Sequence, residues 1–192
     1  MTSPRLKPTK RCFVTVGATA SFISLIQNVL QPTFLEALKL HNYTELRIQY
    51  GKNGKKTFDD YCWLLSDELK KSLEIEITGF DFNKTGLKEE MLAAKRIYTT
   101  STMKGSEGCV ISHAGEYTVQ YMGGQMAGNV ADEQALGSGS ILEAMRIEVP
   151  VIVVPNTDLL DNHQVELAEV LAEQNYVVHG SLRYVVAVYG RQ

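Results

Sequence analysis

Short apolar runs alternate along the chain with longer segments of helical periodicity. Residues 12–16, 109–112 and 150–155 are almost entirely apolar, whereas residues 46–50 and 73–78 alternate between apolar and polar side chains. Apolar runs of this length are typical of strands buried on both faces of a sheet, and alternation is typical of strands buried on one face. The pattern therefore predicts five strands.

Segments with apolar residues three or four positions apart separate these runs and predict helices. The first begins at Ser21 as its N-cap, and the second begins at Pro32, a favoured first-turn residue, and ends near residue 41. The remaining predicted helices are 59–72, 85–96 and two that begin near Ser140 and Asp161. Strands that alternate with helices predict an α/β fold, with a Rossmann-like parallel sheet and helices on both faces.

Two polar segments are predicted to lie outside this framework. Residues 1–11 form a disordered tail whose cations include Lys10 and Arg11, and residues 12–192 form a single domain. The glycine- and lysine-rich residues 51–56 form a loop between a strand and a helix, either as a solvated surface turn or as a contact to a pyrophosphate.

The chain has 192 residues, of which 44% are hydrophobic and 21% charged, and its formal net charge is −3. This balance gives no electrostatic reason to expect nucleic acid or an anionic membrane as a partner. The three cysteines form no CxxC motif, so neither a zinc site nor a disulfide framework is predicted, and a reducing compartment is expected. No apolar run approaches the roughly 20 residues of a membrane span, and no signal peptide is recognisable, so work at a membrane requires a partner.

Ligands of parallel sheets bind at the carboxyl ends of the strands, so the loops after Val16, Ser112 and Pro155 are expected to meet. Gly17 either lets backbone amides approach a phosphate or only makes a tight turn from strand to helix. His113 is either a packed core histidine or a catalytic residue.

Two helix starts carry the remaining candidates. Ser140 and Glu143 have the spacing of a capping box, which is their structural interpretation. In the functional interpretation the amides of Gly139 and Ser140 bind a pyrophosphate, and Glu143 accepts hydrogen bonds from a ribose diol. Residues 161–164 mix donors and acceptors in a way that suits sugar hydroxyls, although Asp161 alone would serve as an N-cap.

Six motifs together resemble a known family of glycosyltransferase subunits. They are Val-Thr-Val-Gly-Ala-Thr (14–19), Gln-Tyr-Gly-Lys-Asn (49–53), Gly-Phe-Asp-Phe (79–82), Ser-His-Ala-Gly (112–115), Gly-Ser-Ile-Leu-Glu-Ala-Met-Arg (139–146) and Leu-Asp-Asn-His-Gln (160–164). In this order they resemble the soluble catalytic subunit of the eukaryotic UDP-N-acetylglucosamine (UDP-GlcNAc) transferase that adds the second sugar to GlcNAc-pyrophosphate-dolichol in early protein N-glycosylation. The likeness covers roughly residues 12–183.

The resemblance implies the carboxyl-terminal, donor-binding half of a GT-B glycosyltransferase of family 28. It implies that the donor cleft is lined by Gly17 and Thr19, that Glu143 binds the ribose, and that the general base lies on the acceptor half, in the other chain. On this chain His113 is the candidate base. The resemblance implies further donor contacts at Gly115, Ser138, Gly139, Ser140, Asn162, His163 and Gln164. The implied reaction is an inverting displacement with no metal or other cofactor.

The resemblance also implies a heterodimer. A membrane-anchored subunit would bind the acceptor and recruit this chain from a free cytoplasmic pool to the cytosolic face of the endoplasmic reticulum. In that family a partner-docking helix follows at the position where this chain has residues 184–192.

The sequence departs from the resemblance in one loop. Family members run from His-Ala-Gly directly into Ser-Gly-Ser, whereas residues 116–137 intervene here, as a retained intron or as a true insert. The insert leaves open a second function, a catalytically silent nucleotide-binding or adaptor module. A third class, an α/β hydrolase, is disfavoured because the Gly-x-Ser-x-Gly nucleophile elbow is absent.

Overall fold

The computed structural model describes residues 9–17, 22–95, 99–100, 103–104, 107–114, 139–156, 172 and 178–179. The strands are β1 (Arg11–Thr15), β2 (Glu45–Gln49), β3 (Glu76–Phe80), β4 (Thr99–Thr100), β5 (Met103–Lys104), β6 (Cys109–Ala114), β7 (Val151–Pro155) and β8 (Val178–His179). The helices are α1 (Ile23–Val29), α2 (Pro32–Leu40), α3 (Gly51–Leu64), α4 (Asp67–Leu73), α5 (Lys88–Lys95) and α6 (Gly139–Ile147).

Six strands form one sheet in the order β3-β2-β1-β6-β7-β8, and every neighbouring pair in it is parallel. The strands β4 and β5 form a separate short antiparallel pair. Parallel neighbours with intervening helices confirm the predicted α/β sheet. All six carboxyl ends therefore lie along the same edge of the sheet.

Alternate residues of the central strands face two separate apolar clusters. Val14 and Ile111 belong to the cluster under α1 and α2, which also takes in partly buried side chains of α3. Phe13 and Val110 belong to the cluster under α5 and α6. Both faces of the sheet are thus covered, which explains why the strands at residues 12–16 and 109–112 read as continuous apolar runs.

The first two helices and the second strand lie close to their predicted positions. Pro32 occupies the first turn of α2, as predicted. The N-cap prediction for α1 was wrong, because Phe22 occupies that position and no side chain caps the helix there. Phe22 is fully buried, so packing rather than capping fixes the start of α1.

The turn predicted at residues 51–56 is wrong, because these residues form the first turns of α3. Two glycines misled the interpretation, since glycine normally weakens a helix. A Cβ at Gly54 would lie 2.9 Å from Tyr50 Cβ and would overlap Ile26 Cδ1, so the glycine lets α3 approach α1. Close packing between helices therefore outweighs the low helix propensity of this segment.

The helix predicted over residues 59–72 and the strand predicted over residues 73–78 are both displaced. Ser66 ends the first helical stretch and begins α4, because its hydroxyl accepts a hydrogen bond of 3.1 Å from the Leu69 amide. The strand begins later, and its Gly79 lies inside β3 because the rings of Phe58 and Tyr50 occupy the space where a side chain would be.

The prediction that the basic start of the chain is a solvated tail was wrong for its last two residues. Lys10 Nζ lies 4.3 Å from the centre of the Tyr43 ring and donates to a backbone carbonyl, and Arg11 is the first residue of β1. The Arg11 guanidinium lies 2.7 Å from Glu45 and 2.8 Å from Glu90. The segment 1–8, the insert 116–137 and the helix predicted after Asp161 lie outside the described residues.

Candidate functional site at the carboxyl edge of the sheet

Gly17 follows β1 and packs directly against His113 at the end of β6. Its φ of +76° lies in the left-handed region, which favours glycine. A Cβ at this position would overlap His113 Cε1 and would lie 3.3 Å from Nε2. The glycine is therefore required both by the turn and by the histidine, and the two candidate residues are in contact as expected for one site.

His113 is a neutral, deeply buried histidine. Its side chain is 2% exposed, and the edge of Phe22 packs against the ring with centroids 6.4 Å apart. Burial lowers the pKa of His113 to about 4, because a buried imidazolium loses its hydration. Its Nδ1 atom is buried and has no hydrogen-bond partner among the described residues. At neutral pH the ring is therefore uncharged and retains an unused polar atom.

A row of buried polar groups lies on the opposite face of the sheet. Thr15 pairs in register with Gln49 on one side and with Ser112 on the other, and all three are 0–2% exposed. The Thr15 hydroxyl donates to Gln49 Oε1 and accepts a hydrogen bond of 3.2 Å from the Gly17 amide. The turn that presents Gly17 is thus held from beneath by the side chain of Thr15.

Ser140 contacts the same row from the first turn of α6. Its hydroxyl lies 2.8 Å from Ser112 Oγ, and the Ser112 hydroxyl lies 3.3 Å from the carbonyl of His113. The capping-box interpretation of Ser140 is wrong, because α6 begins at Gly139 and places Ser140 inside the helix rather than at its N-cap. The serine side chain anchors the helix to β6 instead.

The contact between Ser112 and Ser140 shows that the two elements on either side of residues 115–138 are close together. The end of β6 and the start of α6 touch each other, although this long segment separates them in sequence. A long loop with fixed ends adds little closure free energy, since that term grows only with the logarithm of loop length. The insert therefore does not separate the strand from the helix.

Glu143 lies on α6 one turn after Ser140 and is half-buried. In the part of the chain that the structure describes, no cation neutralises its carboxylate and no group donates to it. The first turn of α6 contains no acidic side chain, so its backbone amides face the edge of the sheet without a local negative charge. This arrangement leaves two features free at one end of a helix, amides for an anion and a carboxylate for hydroxyl groups.

The start of α3 belongs to the same edge, and the sequence interpretation of residues 51–56 missed the helix but not the possible contact with a pyrophosphate. A Cβ at Gly51 would lie 3.5 Å from the carbonyl oxygen of Gly17, so the two segments are in contact. The first turn of α3 likewise has no acidic residue, and Lys52 follows Gly51 directly. The sequence signal for a second segment at this edge was Gly51, because a glycine just after a strand is also found at the Gly17 turn.

A second concave region lies at the opposite edge of the sheet. It has a volume of about 650 Å³ and lies between β3 and α5, and its lining includes Arg11 and Arg47. Glu90 lies 2.8 Å from one guanidinium and 3.2 Å from the other. Because its cations are already paired with carboxylates, this groove is a poor site for an anion despite its size.

Six of the predicted site residues lie outside the described residues. They are Thr19, Gly115, Ser138, Asn162, His163 and Gln164. The structure brings together the turn at Gly17, His113 and the α6 start with Gly139, Ser140 and Glu143. It adds Thr15, Gln49 and Ser112, whose signal in the sequence is a polar residue at the end of an apolar strand.

Within the described ranges, no three histidine, cysteine, aspartate or glutamate side chains are placed to hold a metal ion. No helix in the same ranges has both the length and the apolar character needed to cross a membrane. Cys12 and Cys109 lie in register with sulfur atoms 3.6 Å apart, and this contact together with burial raises the pKa of Cys12 well above its usual range. Cys12 is therefore a protonated core thiol, and Cys109 is buried beside it.

Residues 136–181 match the model of the glycosyltransferase family 28 C-terminal domain, a range that includes α6 and β7. The UDP-N-acetylglucosamine transferase subunit ALG13 of Cryptococcus neoformans is 31% identical over 185 residues, which cover 88% of this chain and 76% of the relative. The subunit of the same name from Candida albicans is 30% identical, with 91% of this chain covered but only 57% of the relative. The chain thus spans between about half and three quarters of these relatives.

A solved structure gives the same result for the fold. The solution structure of ALG13, determined from backbone NMR data, aligns with a TM-score of 0.58 and 25% identity. The alignment covers 91% of this chain and 79% of the solved one.

Proposed function

The chain belongs to the family of UDP-N-acetylglucosamine transferase ALG13 subunits, and on that premise we propose that the carboxyl edge of its sheet binds the donor UDP-GlcNAc. One observation carries the proposal. The hydrogen bond between Ser112 and Ser140 brings the start of α6 to the end of β6, beside the Gly17 turn. Two segments that are far apart in sequence, each suited to an anion, therefore meet at one edge.

The α6 start suits a nucleotide diphosphate in both of its parts. The amides of Gly139 and Ser140 bind the diphosphate, whose negative charge the amino end of a helix stabilises. Glu143, one turn further along, accepts hydrogen bonds from the ribose hydroxyls, for which its carboxylate has no competing partner among the described residues. Thr19, Gly115 and Ser138 complete the diphosphate side of the cleft, and Asn162, His163 and Gln164 bind the donor sugar.

The proposed reaction transfers the sugar with inversion. A hydroxyl oxygen of the acceptor attacks the anomeric carbon, the bond from that carbon to the diphosphate oxygen breaks, and UDP leaves with the electron pair. Backbone amides of α6 stabilise the negative charge that grows on the leaving diphosphate. The acceptor proton passes to a base; the low pKa of His113 makes it a poor base at neutral pH, which favours a base on the acceptor-binding subunit.

The remaining parts of the proposal concern the partner and the place of action. The word subunit in the relatives' name supports an assembly with a second chain. We propose that this second chain is membrane-anchored, binds GlcNAc-pyrophosphate-dolichol, and holds the transferase at the cytosolic face of the endoplasmic reticulum. The product is then the second GlcNAc of the lipid-linked oligosaccharide.

The alternative, a silent nucleotide-binding or adaptor module, rested on the insert at residues 116–137. The contact of Ser112 with Ser140 favours the transferase, since the elements that flank the insert in sequence touch each other. The test below therefore includes a result that would indicate the adaptor function.

The test combines a binding titration with a transfer assay. Glu143→Gln is expected to weaken UDP-GlcNAc binding by roughly 10- to 100-fold, which corresponds to the ~1.5–3 kcal/mol of a charge-assisted hydrogen bond. Glu89→Gln, on the exposed surface of α5, is the matched control and is expected to leave binding unchanged. Transfer of labelled GlcNAc to GlcNAc-pyrophosphate-dolichol is then measured with the acceptor-binding subunit present. Binding without transfer supports the adaptor, and failure of the unsubstituted chain to bind overturns both functions.

A further inference from the structure

Three buried polar side chains lie next to one another across the ends of β2, β1 and β6, at positions where apolar residues would fill the core. Gln49, Thr15 and Ser112 are 2%, 0% and 0% exposed. Burial of polar groups is unfavourable unless hydrogen bonds compensate it, so such a row is expected to have a role that apolar residues cannot supply. Thr15, in the middle of the row, bonds to the Gly17 turn, and Ser112, at one end of it, bonds to the start of α6.

Through Thr15, the row fixes the Gly17 turn. Gln49 Oε1 accepts the Thr15 hydroxyl hydrogen, so a lone pair of the Thr15 oxygen points away from Gln49 and accepts the Gly17 amide at 3.2 Å. A valine in place of Thr15 would have nearly the same shape but neither bond. The hydroxyl therefore sets the direction of the first amide after β1.

Through Ser112, the row fixes the start of α6. The Ser112 hydroxyl has one hydrogen, and when it donates to the His113 carbonyl, the Ser140 hydroxyl donates to Ser112 Oγ. No short connection imposes this contact, because residues 115–138 lie between the strand and the helix. The carboxyl end of α6 is held by its short connection to β7, and its first turn is held on β6 by side-chain contacts, which include the Ser112–Ser140 hydrogen bond and the packing of Ile141.

We propose that Ser112 is a positioning residue of the donor site, which acts through Ser140 to place the α6 amides relative to the Gly17 turn. It is fully buried and so does not touch the donor itself. Thr15 and Gln49 have the corresponding role for the Gly17 turn. The inference rests on the proposed function, and it adds that diphosphate affinity depends on hydroxyl groups beneath the site as well as on the amides that line it.

The test is a double-substitution cycle on UDP-GlcNAc affinity, measured by calorimetry on the full chain. Ser112→Ala is expected to weaken binding about tenfold, as the loss of one hydrogen bond of ~1.4 kcal/mol would do. In a Ser140→Ala background the same substitution is expected to have almost no further effect, because its route to the donor is already removed. Ser72→Ala on the exposed part of α4 is the matched control.

Two additional readouts separate positioning from a general loss of stability. Ser112→Cys keeps a small polar group of similar size and is expected to retain more affinity than Ser112→Ala, and it replaces that variant if the alanine chain does not fold. In the assembled transferase, Ser112→Ala is expected to raise KM for the donor more than it lowers kcat. Equal losses of affinity in the two backgrounds, or an unchanged affinity in Ser112→Ala, overturn the inference. If the unsubstituted chain binds and Glu143→Gln weakens it, such a result leaves the proposed function intact.

Discussion

The end of β6 has two neighbouring buried polar residues that face opposite sides of the sheet, and they differ in how many of their hydrogen bonds are satisfied. On the α6 side, Ser112 is bonded to Ser140 and lies beside the bonded pair of Thr15 and Gln49. On the α1 side, His113 packs against Gly17 and Phe22, and its Nδ1 has no partner among the described residues. The polar side chains on the α6 side are hydrogen-bonded, whereas the histidine on the α1 side has a nitrogen without a partner among the described residues.

This difference separates a scaffold from a site. Satisfied buried polar groups fix one geometry, whereas a buried group left unsatisfied costs about 1–3 kcal/mol, a cost that a hydrogen bond from a ligand would remove. We interpret the hydroxyl side as the support of the proposed donor site. The histidine side is the part of the strand end with hydrogen-bonding capacity left for a ligand.

The largest expected effect comes from filling the space between Gly17 and His113. Gly17→Ala adds a Cβ at positive φ that also overlaps the imidazole, and it is expected to lower the free energy of unfolding by roughly 2–5 kcal/mol. Gly86→Ala is the matched control, because Gly86 has a similar φ of +82° with no atom within 4 Å of the added Cβ. It is expected to cost about 1–2 kcal/mol. Equal losses in urea denaturation would show that His113 does not restrict Gly17.

A pH titration isolates the histidine side. The pKa of His113 is lowered from 6.5 to about 4 in the folded chain, so the unfolded chain takes up this proton first as pH falls. The contribution of His113 to stability is therefore complete above pH 6.5 and is lost progressively towards pH 4, with a total of roughly 3 kcal/mol. His113→Asn is expected to flatten this part of the curve of unfolding free energy against pH. If His113→Asn keeps the slope of the unsubstituted chain between pH 6.5 and pH 4, the assignment to His113 is wrong.

The smallest of these effects is expected on the hydroxyl side. Thr15→Val removes the donor to Gln49 and the acceptor for the Gly17 amide while it keeps the shape, which is expected to cost about 1–3 kcal/mol of unfolding free energy. Thr15→Ser retains the hydroxyl and should cost less. In a Gln49→Leu background the effect of Thr15→Val should shrink, since a partner that is already lost cannot be lost again. Additive effects would mean that the two side chains are not coupled.

The sequence predicted the fold well where one signal dominated. Apolar runs placed β1, β6 and β7, and Pro32 placed the start of α2. It failed where packing overrode local preference. Gly51 and Gly54 read as a turn, yet they lie in the first turns of α3. Gly51 has a φ of +64°, which favours glycine, and Gly54 leaves no room for a side chain between α3 and α1.

The sequence predicted which segments form the candidate site but not the buried hydrogen bonds that hold those segments in place. That Gly17 and the start of α6 lie at one edge follows from a parallel sheet, which the alternation of strands and helices in the sequence predicts. The hydrogen bond between Ser112 and Ser140 depends on side-chain distances across a long loop, and the local Ser-x-x-Glu spacing suggested a different role for Ser140. The pKa of His113 depends on burial by Phe22 and Gly17, which a strand-end histidine alone does not reveal.

The central claim is that UDP-GlcNAc binds at the carboxyl edge of the sheet, between the Gly17 turn and the start of α6. The most direct test is a titration of the isotope-labelled chain with UDP-GlcNAc, followed through its backbone amide resonances. The account predicts that the amides of Gly17, Gly139 and Ser140 shift most and saturate together. If these amides stay unmoved at saturation while those around Arg11 and Arg47 shift, the donor binds in the opposite groove and the account is contradicted.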